Sequence, residues 1–243
     1  MKILLTNDDG IDAPGINALA AALRDLGETI VVAPDRPLSG CSHRATTDEA
    51  LRVEERGEGR FAVSGSPADC VRLALVHLAE DVDWIVSGVN DGGNLGVDVY
   101  LSGTVAAARE AALFGRRAIA MSQYRRSKTI EWRRAQIAAH RVFERLVNEP
   151  LALGSFWNVN FPDWGPSDEP PRIDASEVAL EFAELDLHPL PVAYERRDDG
   201  YYFRSNYHNR PRRAGSDVDV CFSGRIAVTE IHPTNVARPP RSS

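Results

Sequence analysis

Short apolar runs alternate with amphipathic segments over the first 125 residues, and this alternation limits the possible folds more than any other feature of the chain. The apolar runs are rich in β-branched residues and hydrophobic almost without interruption, which is typical of strands buried on both faces of a sheet. Segments with helical periodicity lie between them. Strands that alternate with helices form a mostly parallel sheet with helices on both faces, so the sequence predicts an α/β fold.

The predicted elements follow one another closely. Strands are predicted over residues 2–6, 29–33, 84–86, 118–121 and 157–161, and helices over 15–26, 69–79, 103–114 and 129–148. Between the second strand and the second helix, residues 51–64 have the pattern of a hairpin inserted near the edge of the sheet.

The composition changes after Pro162, where the chain becomes rich in proline, aspartate and arginine. We therefore predict a core over residues 1–162 and a smaller β-rich extension over residues 163–243. Within that extension, the proline-rich tail after Pro233 is predicted to be a loose end or a partner-binding arm.

Composition and charge exclude several classes of protein. The 243 residues are 43% hydrophobic and 26% charged, which is typical of a folded globular chain. No apolar run is long enough to span a membrane, and a strand pattern rather than a leader pattern follows Met1, so we expect a cytoplasmic protein. Three widely spaced cysteines do not suggest a disulfide scaffold. The formal net charge of -7 argues against binding to duplex nucleic acid but leaves room for a small phosphorylated substrate.

Three of the predicted parallel strands end in polar loops, at residues 7–10, 34–43 and 87–96. Because the carboxyl ends of parallel strands lie at one edge of a sheet, side chains from these loops can converge there. Asp8, Asp9, Ser39 and Asn90 all offer oxygen ligands, which suit Mg²⁺ or Mn²⁺. A cation would neutralise the adjacent carboxylates. The alternative is that Asp8 and Asp9 form a solvated turn or cap the next helix.

The start of the third predicted helix offers a possible anion site. Ser102 stands at the N-cap position, followed by Gly103, Thr104 and an alanine-rich helix. Unpaired backbone N–H groups and the helix dipole favour a phosphate at such a point. The alternative is an ordinary helix capped by serine. The chain has no P-loop motif, no GxGxxG spacing and no Asp-x-Asp pair at the first strand. His43 can lie near the predicted site through its loop, whereas His77 and His140 fall in helical patterns.

Five stretches in this order resemble the SurE family, the survival-protein-E nucleotidases. They are TNDDGIDAPGI, VVAPDRPLSGCS, GSPADCV, VSGVNDGGNLGVDVYLSGTVAAARE and NVNFP. The resemblance implies a Rossmann-like core with a β-hairpin extension and an exchanged C-terminal arm, assembled as a homodimer or homotetramer. It weakens towards the C-terminus, where the family's SVTPL is AVTEI and residues 163–213 have little in common with the family.

The resemblance also implies an activity, namely a metal-dependent phosphatase that acts on nucleoside 5′- and 3′-monophosphates. One divalent ion per subunit, Mg²⁺ or Mn²⁺, would be held by Asp8, Asp9, Ser39 and Asn90. The phosphate pocket would use Asn7, Asn94, Ser102, Gly103 and Thr104.

Phosphomonoester hydrolysis requires charge neutralisation at the phosphoryl oxygens and an activated water. Asp8 and Asp9, as holders of the cation, are therefore the predicted catalytic residues. Two alternatives use the same crevice: a sensor module that binds metal and nucleotide without turnover, and a metal-dependent glycosyltransferase. The usual Asp-x-Asp of glycosyltransferases follows a later strand, so the N-terminal pair argues against the second.

Overall fold

A computed structural model describes residues 1–126, 129–165, 174–204 and 206–232. Nine strands form one sheet: β1 (Lys2–Thr6), β2 (Glu28–Pro34), β3 (Val53–Glu55), β4 (Arg60–Val63), β5 (Trp84–Asp91), β6 (Arg117–Gln123), β7 (Phe156–Phe161), β8 (Leu180–Phe182) and β11 (Ile226–Ile231). A separate hairpin consists of β9 (Ala193–Arg197) and β10 (Gly200–Arg204). The helices are α1 (Pro14–Leu23), α2 (Pro67–Leu73, continued by a π turn over Ala74–Leu78), α3 (Gly103–Leu113), α4 (Trp132–Leu146) and α5 (Asp217–Phe222).

The strand order is β3-β4-β2-β1-β5-β6-β7-β11-β8. Strands β4, β2, β1, β5, β6 and β7 are parallel, which confirms the predicted α/β fold. Thr6 pairs with Ser87, and Asn90 pairs with Ser122, so the loops after β1, β5 and β6 leave the sheet at one edge. The sheet therefore brings the predicted site residues to one side of the molecule.

Helices cover both faces of this sheet because successive strand residues point in opposite directions. On β1, Ile3 and Leu5 pack in the core beneath α1 and α4, whereas Leu4 packs in the core beneath α2 and α3. All three side chains are fully buried. The apolar run of β1 is continuous because both faces of the strand are buried, each in its own core.

The edge hairpin is confirmed, since β3 and β4 pair antiparallel at the end of the sheet. Strand β5 extends beyond the three residues predicted for it, because Asn90 and Asp91 pair with β6 after a change of register. Gly88 lies at this irregularity with φ +134°, and a Cβ there would lie 2.1 Å from the carbonyl oxygen of Met121. Only glycine fits that approach.

The C-terminal part contributes to two sheets. Strands β8 and β11 extend the main sheet, and β9 and β10 form the small antiparallel one. The division of the chain at residue 162 stays a prediction. The predicted arm after Pro233 lies outside the described residues, as do residues 166–173. Within the described ranges, no helix has the length and apolar character needed to cross a membrane.

Candidate active site

Asp8 lies in the loop after β1 and is 4% exposed. Its carboxylate accepts a hydrogen bond from the Thr104 hydroxyl, and its backbone carbonyl accepts one from Leu38 N–H at 2.7 Å. Burial raises the pKa of Asp8, although the Thr104 hydroxyl and the first N–H groups of α3 favour the charged form. The carboxylate therefore faces the N-terminus of α3 and lies away from bulk water.

Asp9 is half-buried and accepts a hydrogen bond from Asp91 N–H at 3.0 Å. Burial, together with the nearby charges of Asp8 and Asp91, raises the pKa of Asp9 to about 6. Helix α1 begins after Ala13 and has no side-chain cap. The interpretation of the Asp pair as a helix cap is therefore wrong, and the burial of Asp8 excludes a fully solvated turn.

The Thr104 hydroxyl links the first and third loops. It donates to Asp8 Oδ1 and lies 3.4 Å from Asn90 Oδ1. The Asn90 amide nitrogen donates to the Gly92 carbonyl at 2.8 Å, which leaves the Asn90 oxygen on the Asp8 side. Two of the predicted metal ligands thus face the same hydroxyl.

The second loop reaches the same place through its backbone. Leu38 is bonded to Asp8, and Ser39 follows it in an exposed turn, so Ser39 is the least enclosed of the four predicted ligands. Further along this loop, Ser42 N–H donates to Leu101 O at 3.1 Å and Ser42 Oγ donates to Tyr100 O at 2.7 Å. These bonds fix the loop over the start of α3.

The donor set fits a hard divalent cation. Asp8 and Asp9 supply two carboxylates, Asn90 an amide oxygen and Ser39 a hydroxyl. Across the described parts of the chain, no group of three His, Cys, Asp or Glu side chains is arranged to hold a metal, so this site would combine two charged ligands with neutral oxygens. Oxygen ligands of this kind suit Mg²⁺ or Mn²⁺ rather than a thiophilic metal.

The N-terminus of α3 abuts these ligands. Ser102 Oγ accepts a hydrogen bond from Val105 N–H at 3.1 Å, so Ser102 is a helix cap, as the structural alternative requires. A Cβ on Gly103 would lie 2.8 Å from Asp8 Cβ and 2.7 Å from Cys41 Sγ. Glycine therefore allows the first turn to approach the Asp8 carboxylate, and a capping role does not exclude phosphate binding at the same turn.

The two asparagines predicted for the phosphate pocket are already engaged. Asn7 Nδ2 donates to Gly10 O at 2.9 Å, while its buried Oδ1 has no hydrogen-bond partner among the described residues. Asn94 Nδ2 donates to Ser122 Oγ at 2.8 Å. Their contribution to phosphate binding stays a prediction.

His43 lies in the second loop but pairs with a carboxylate further along α3. Its Nε2 is 2.6 Å from Glu110 Oε2, and Arg72 of α2 binds the other oxygen of Glu110. Burial raises the pKa of Glu110, but the bonds from His43 and Arg72 outweigh burial and bring the pKa below its usual range. This cluster fastens the second loop to α2 and α3.

A family model described as survival protein SurE matches residues 3–181. The chain belongs to the SurE family. A protein of Synechocystis sp. strain PCC 6803 is 50% identical over 232 residues, which cover 95% of this chain and 99% of that protein. A Geobacter sulfurreducens protein named 5′-nucleotidase SurE is 40% identical over 96% of this chain and 88% of its own length. The crystal structure of the SurE protein from Aquifex aeolicus has a TM-score of 0.83 and 31% identity, covering 97% of this chain and 95% of that one.

In this SurE chain, sequence reasoning missed the residues that hold the third loop. Asn160 Oδ1 accepts from Asn94 N–H at 2.8 Å, and the side-chain amides of Asn158 and Asn160 both donate to Asn94 O. Both asparagines lie on β7 two residues apart and so share one face of the strand. The alternating asparagines of NVNF were the signal in the sequence for these contacts.

Proposed function

We propose that this protein is a 5′-nucleotidase of the SurE type that depends on one Mg²⁺ or Mn²⁺ per subunit and hydrolyses both 5′- and 3′-monophosphates of nucleosides. The observation that carries this proposal is the arrangement around Thr104, whose hydroxyl binds the buried Asp8 and adjoins Asn90 at the first turn of α3. The SurE family match and the relatives named 5′-nucleotidase SurE support the same reaction.

Asp8, Asp9, Ser39 and Asn90 would hold the cation. When bound, the cation would offset the negative charge of the phosphoryl oxygens and favour ionisation of a nearby water. Thr104 keeps the Asp8 carboxylate in one orientation. At the start of α3 the Ser102 hydroxyl would hold the phosphate ester, because the Gly103 and Thr104 N–H groups face the Asp8 carboxylate while the Ser102 hydroxyl can still donate and the helix dipole favours an anion.

Phosphate release is the test that decides between this enzyme and a sensor that binds without turnover. The full chain would be treated with EDTA and then assayed against a panel of nucleoside 5′- and 3′-monophosphates, with and without Mn²⁺. We expect release only with metal, and we expect Asp8→Asn to bind nucleotide with little release. Binding of nucleotide by the wild type with no release under any condition would favour the sensor.

We also propose that the protein is cytoplasmic and forms a homodimer or homotetramer through the C-terminal arm. The assembly is what the SurE resemblance implies. Light scattering on the full chain and on a variant ending at residue 232 measures the assembly directly. A truncated variant with the same number of subunits per particle as the full chain would contradict the role of the arm.

A further inference from the structure

The turn that leads into α3 is held by a residue with no place in the proposed metal site. A 3₁₀ turn spans Gly96–Tyr100, and Leu101 connects it to Ser102. Within it, the backbone carbonyl of Asp98 accepts hydrogen bonds from Leu101 N–H at 2.9 Å and from Ser102 N–H at 3.2 Å. The position of Ser102 therefore depends on the position of Asp98.

The side chain of Asp98 is bound by two residues that are distant in sequence. Arg210 Nη1 donates to Asp98 Oδ2 at 2.6 Å, and the Tyr207 hydroxyl donates to the same oxygen at 2.8 Å. Arg210 is 3% exposed, and its guanidinium lies 5.2 Å from the centre of the Tyr207 ring. Burial and the charge of Asp98 raise the pKa of Tyr207 well above its usual value, which keeps the hydroxyl protonated as a donor.

The same two residues also bind the loop upstream of the turn. Arg210 donates to Leu95 O at 3.3 Å, and the Tyr207 hydroxyl oxygen lies 3.3 Å from Gly93 O. Gly96 has φ +55°, and a Cβ there would lie 2.7 Å from Asp186 O and 3.0 Å from Arg210 Nη2. The segment from Gly93 to Asp98 is thus clamped at several points by the C-terminal part of the chain.

A buried ion pair of this kind contributes little net stability compared with apolar packing, because desolvation of both charges offsets their attraction. Its hydrogen bonds are directional, however, and so they restrict Asp98 and the turn that contains it to one geometry. The clamp therefore has more effect on where the turn lies than on how strongly the chain folds.

We propose that Asp98, Arg210 and Tyr207 form a positioning cluster that sets the first turn of α3 for phosphate binding. None of the three is a catalytic residue, since they act through the backbone of Ser102. The inference rests on the proposed function for the identity of the ligand. It assigns the C-terminal part of the chain a role in phosphate affinity within a single subunit.

The test measures affinity for inorganic phosphate by calorimetry at saturating Mn²⁺, together with kcat and KM for a nucleoside 5′-monophosphate. Tyr207→Phe removes one hydroxyl, and Arg210→Met removes the charge while keeping much of the length. We expect phosphate affinity to fall ~10-fold in Tyr207→Phe and ~100-fold in Arg210→Met, with KM rising in parallel, because small displacements of a binding group are costly. The affinity for Mn²⁺, measured separately, should change less than ~2-fold.

Arg225→Met is the matched control, since Arg225 forms a half-exposed ion pair with Glu181 in the same part of the chain. It should leave phosphate affinity and KM unchanged. If Arg210→Met does not fold, Tyr207→Phe and Asp98→Asn decide the question. Folded variants with wild-type phosphate affinity would overturn the proposal, as would variants in which phosphate and Mn²⁺ affinity fall equally.

Failure of the proposed function gives a different result. A wild type that binds phosphate but releases none from nucleotides would refute the nucleotidase and leave the positioning cluster supported by the binding data. A wild type that turns over nucleotides, with variants that bind phosphate normally, would refute the cluster alone.

Discussion

Two aspartate pairs contact the connection from β5 to α3, one at its two ends and the other at Gly96 within it, and their surroundings differ. Asp186 and Asp217, from the C-terminal part, are 1% and 0% exposed. Asp186 accepts four hydrogen bonds, two of them from His188 and the others from Ser216 Oγ and Arg213 N–H. Asp217 accepts three backbone N–H groups, from Gly96, Asp186 and Val218. Protein donors thus satisfy this pair.

In the other pair, Asp9 has fewer partners, whereas Asp8 has about as many as Asp217. Asp8 is bound by Thr104 and the start of α3, and Asp9 accepts one N–H group from Asp91. The two carboxylates are adjacent in sequence, and the charge of Asp8 helps to raise the pKa of Asp9. Incomplete satisfaction by protein donors is what a cation site requires, since the cation supplies the missing partner.

The pKa of Asp186 illustrates the contrast. Burial raises it, but the hydrogen bonds from Ser216, His188 and Arg213 outweigh burial and bring the pKa below its usual range. For Asp8, burial outweighs the available donors and the pKa is raised. The direction of the pKa shift therefore separates Asp186 from Asp8, but it does not separate Asp217, whose pKa burial also raises to about 6.

The largest effect expected is on catalysis. Asp8→Asn and Asp9→Asn each remove a charge from the predicted ligand set with little change of shape, so kcat/KM should fall at least ~10²-fold. The measurement is phosphate release at saturating Mn²⁺, with circular dichroism to check the fold. Near-wild-type activity in both variants would remove the distinction between the two pairs.

Asp186→Ala should instead affect stability. It leaves buried donors from Ser216 and Arg213 unpaired, at a cost of about 3 kcal/mol in the free energy of unfolding. Urea denaturation measures this loss, while Mn²⁺ affinity should stay at the wild-type value. An Asp186→Ala variant that unfolds like the wild type but loses Mn²⁺ binding would show that the metal binds at Asp186 and not at Asp8 and Asp9.

Sequence patterns were sufficient for the first pair. Asp8 and Asp9 closely follow a strand, and strand ends in a parallel sheet share one edge, so the place of these residues in the fold could be predicted from elements alone. The same reasoning found Asn90 and the capped start of α3. The edge hairpin was also predictable, because its two strands are neighbours in sequence.

The second pair could not be found in this way. Asp217 reaches Gly96 across 121 residues and Arg210 reaches Asp98 across 112, by contacts with no local periodicity. Strand β11 likewise pairs with β7 and with β8, which are distant from it in sequence. Local patterns predict elements and their ends, whereas contacts between distant loops depend on the folded surface.

The next effect is the pH dependence of stability, to which one member of each pair contributes. The pKa of Asp9 is raised to about 6, so in the apo protein its contribution to stability is present below about pH 4 and is lost as the pH rises through about 6. Asp217 has the same sign, because burial also raises its pKa to about 6 despite three donors. Chemical denaturation of the apo wild type should therefore show lower stability at about pH 7 than at about pH 5.

Mn²⁺ separates the two contributions. It should raise the melting temperature and reduce the loss that comes from Asp9, because a bound cation stabilises the charged form. In apo Asp9→Asn, the loss of stability between about pH 5 and about pH 7 should be only the loss that comes from Asp217. An apo Asp8→Asn variant that melts below the apo wild type would show that repulsion at this pair is not significant.

The smallest effect concerns two capping serines, one beside each pair. Ser102 caps α3 and Ser216 caps α5, and Ser216 Oγ also donates to Asp186. Ser102→Ala should cost roughly 1 kcal/mol of stability, and kcat/KM should fall ~10-fold or more if the hydroxyl also donates to phosphate. Ser216→Ala should cost more stability, since it removes both a cap and a donor to a buried carboxylate, with kcat/KM per folded molecule nearly unchanged. Urea denaturation and kinetics on the same preparations give both quantities. If Ser102→Ala loses activity only in proportion to the unfolded fraction, the start of α3 is a structural cap like that of α5, and the contrast between the two regions is limited to Asp8 and Asp9.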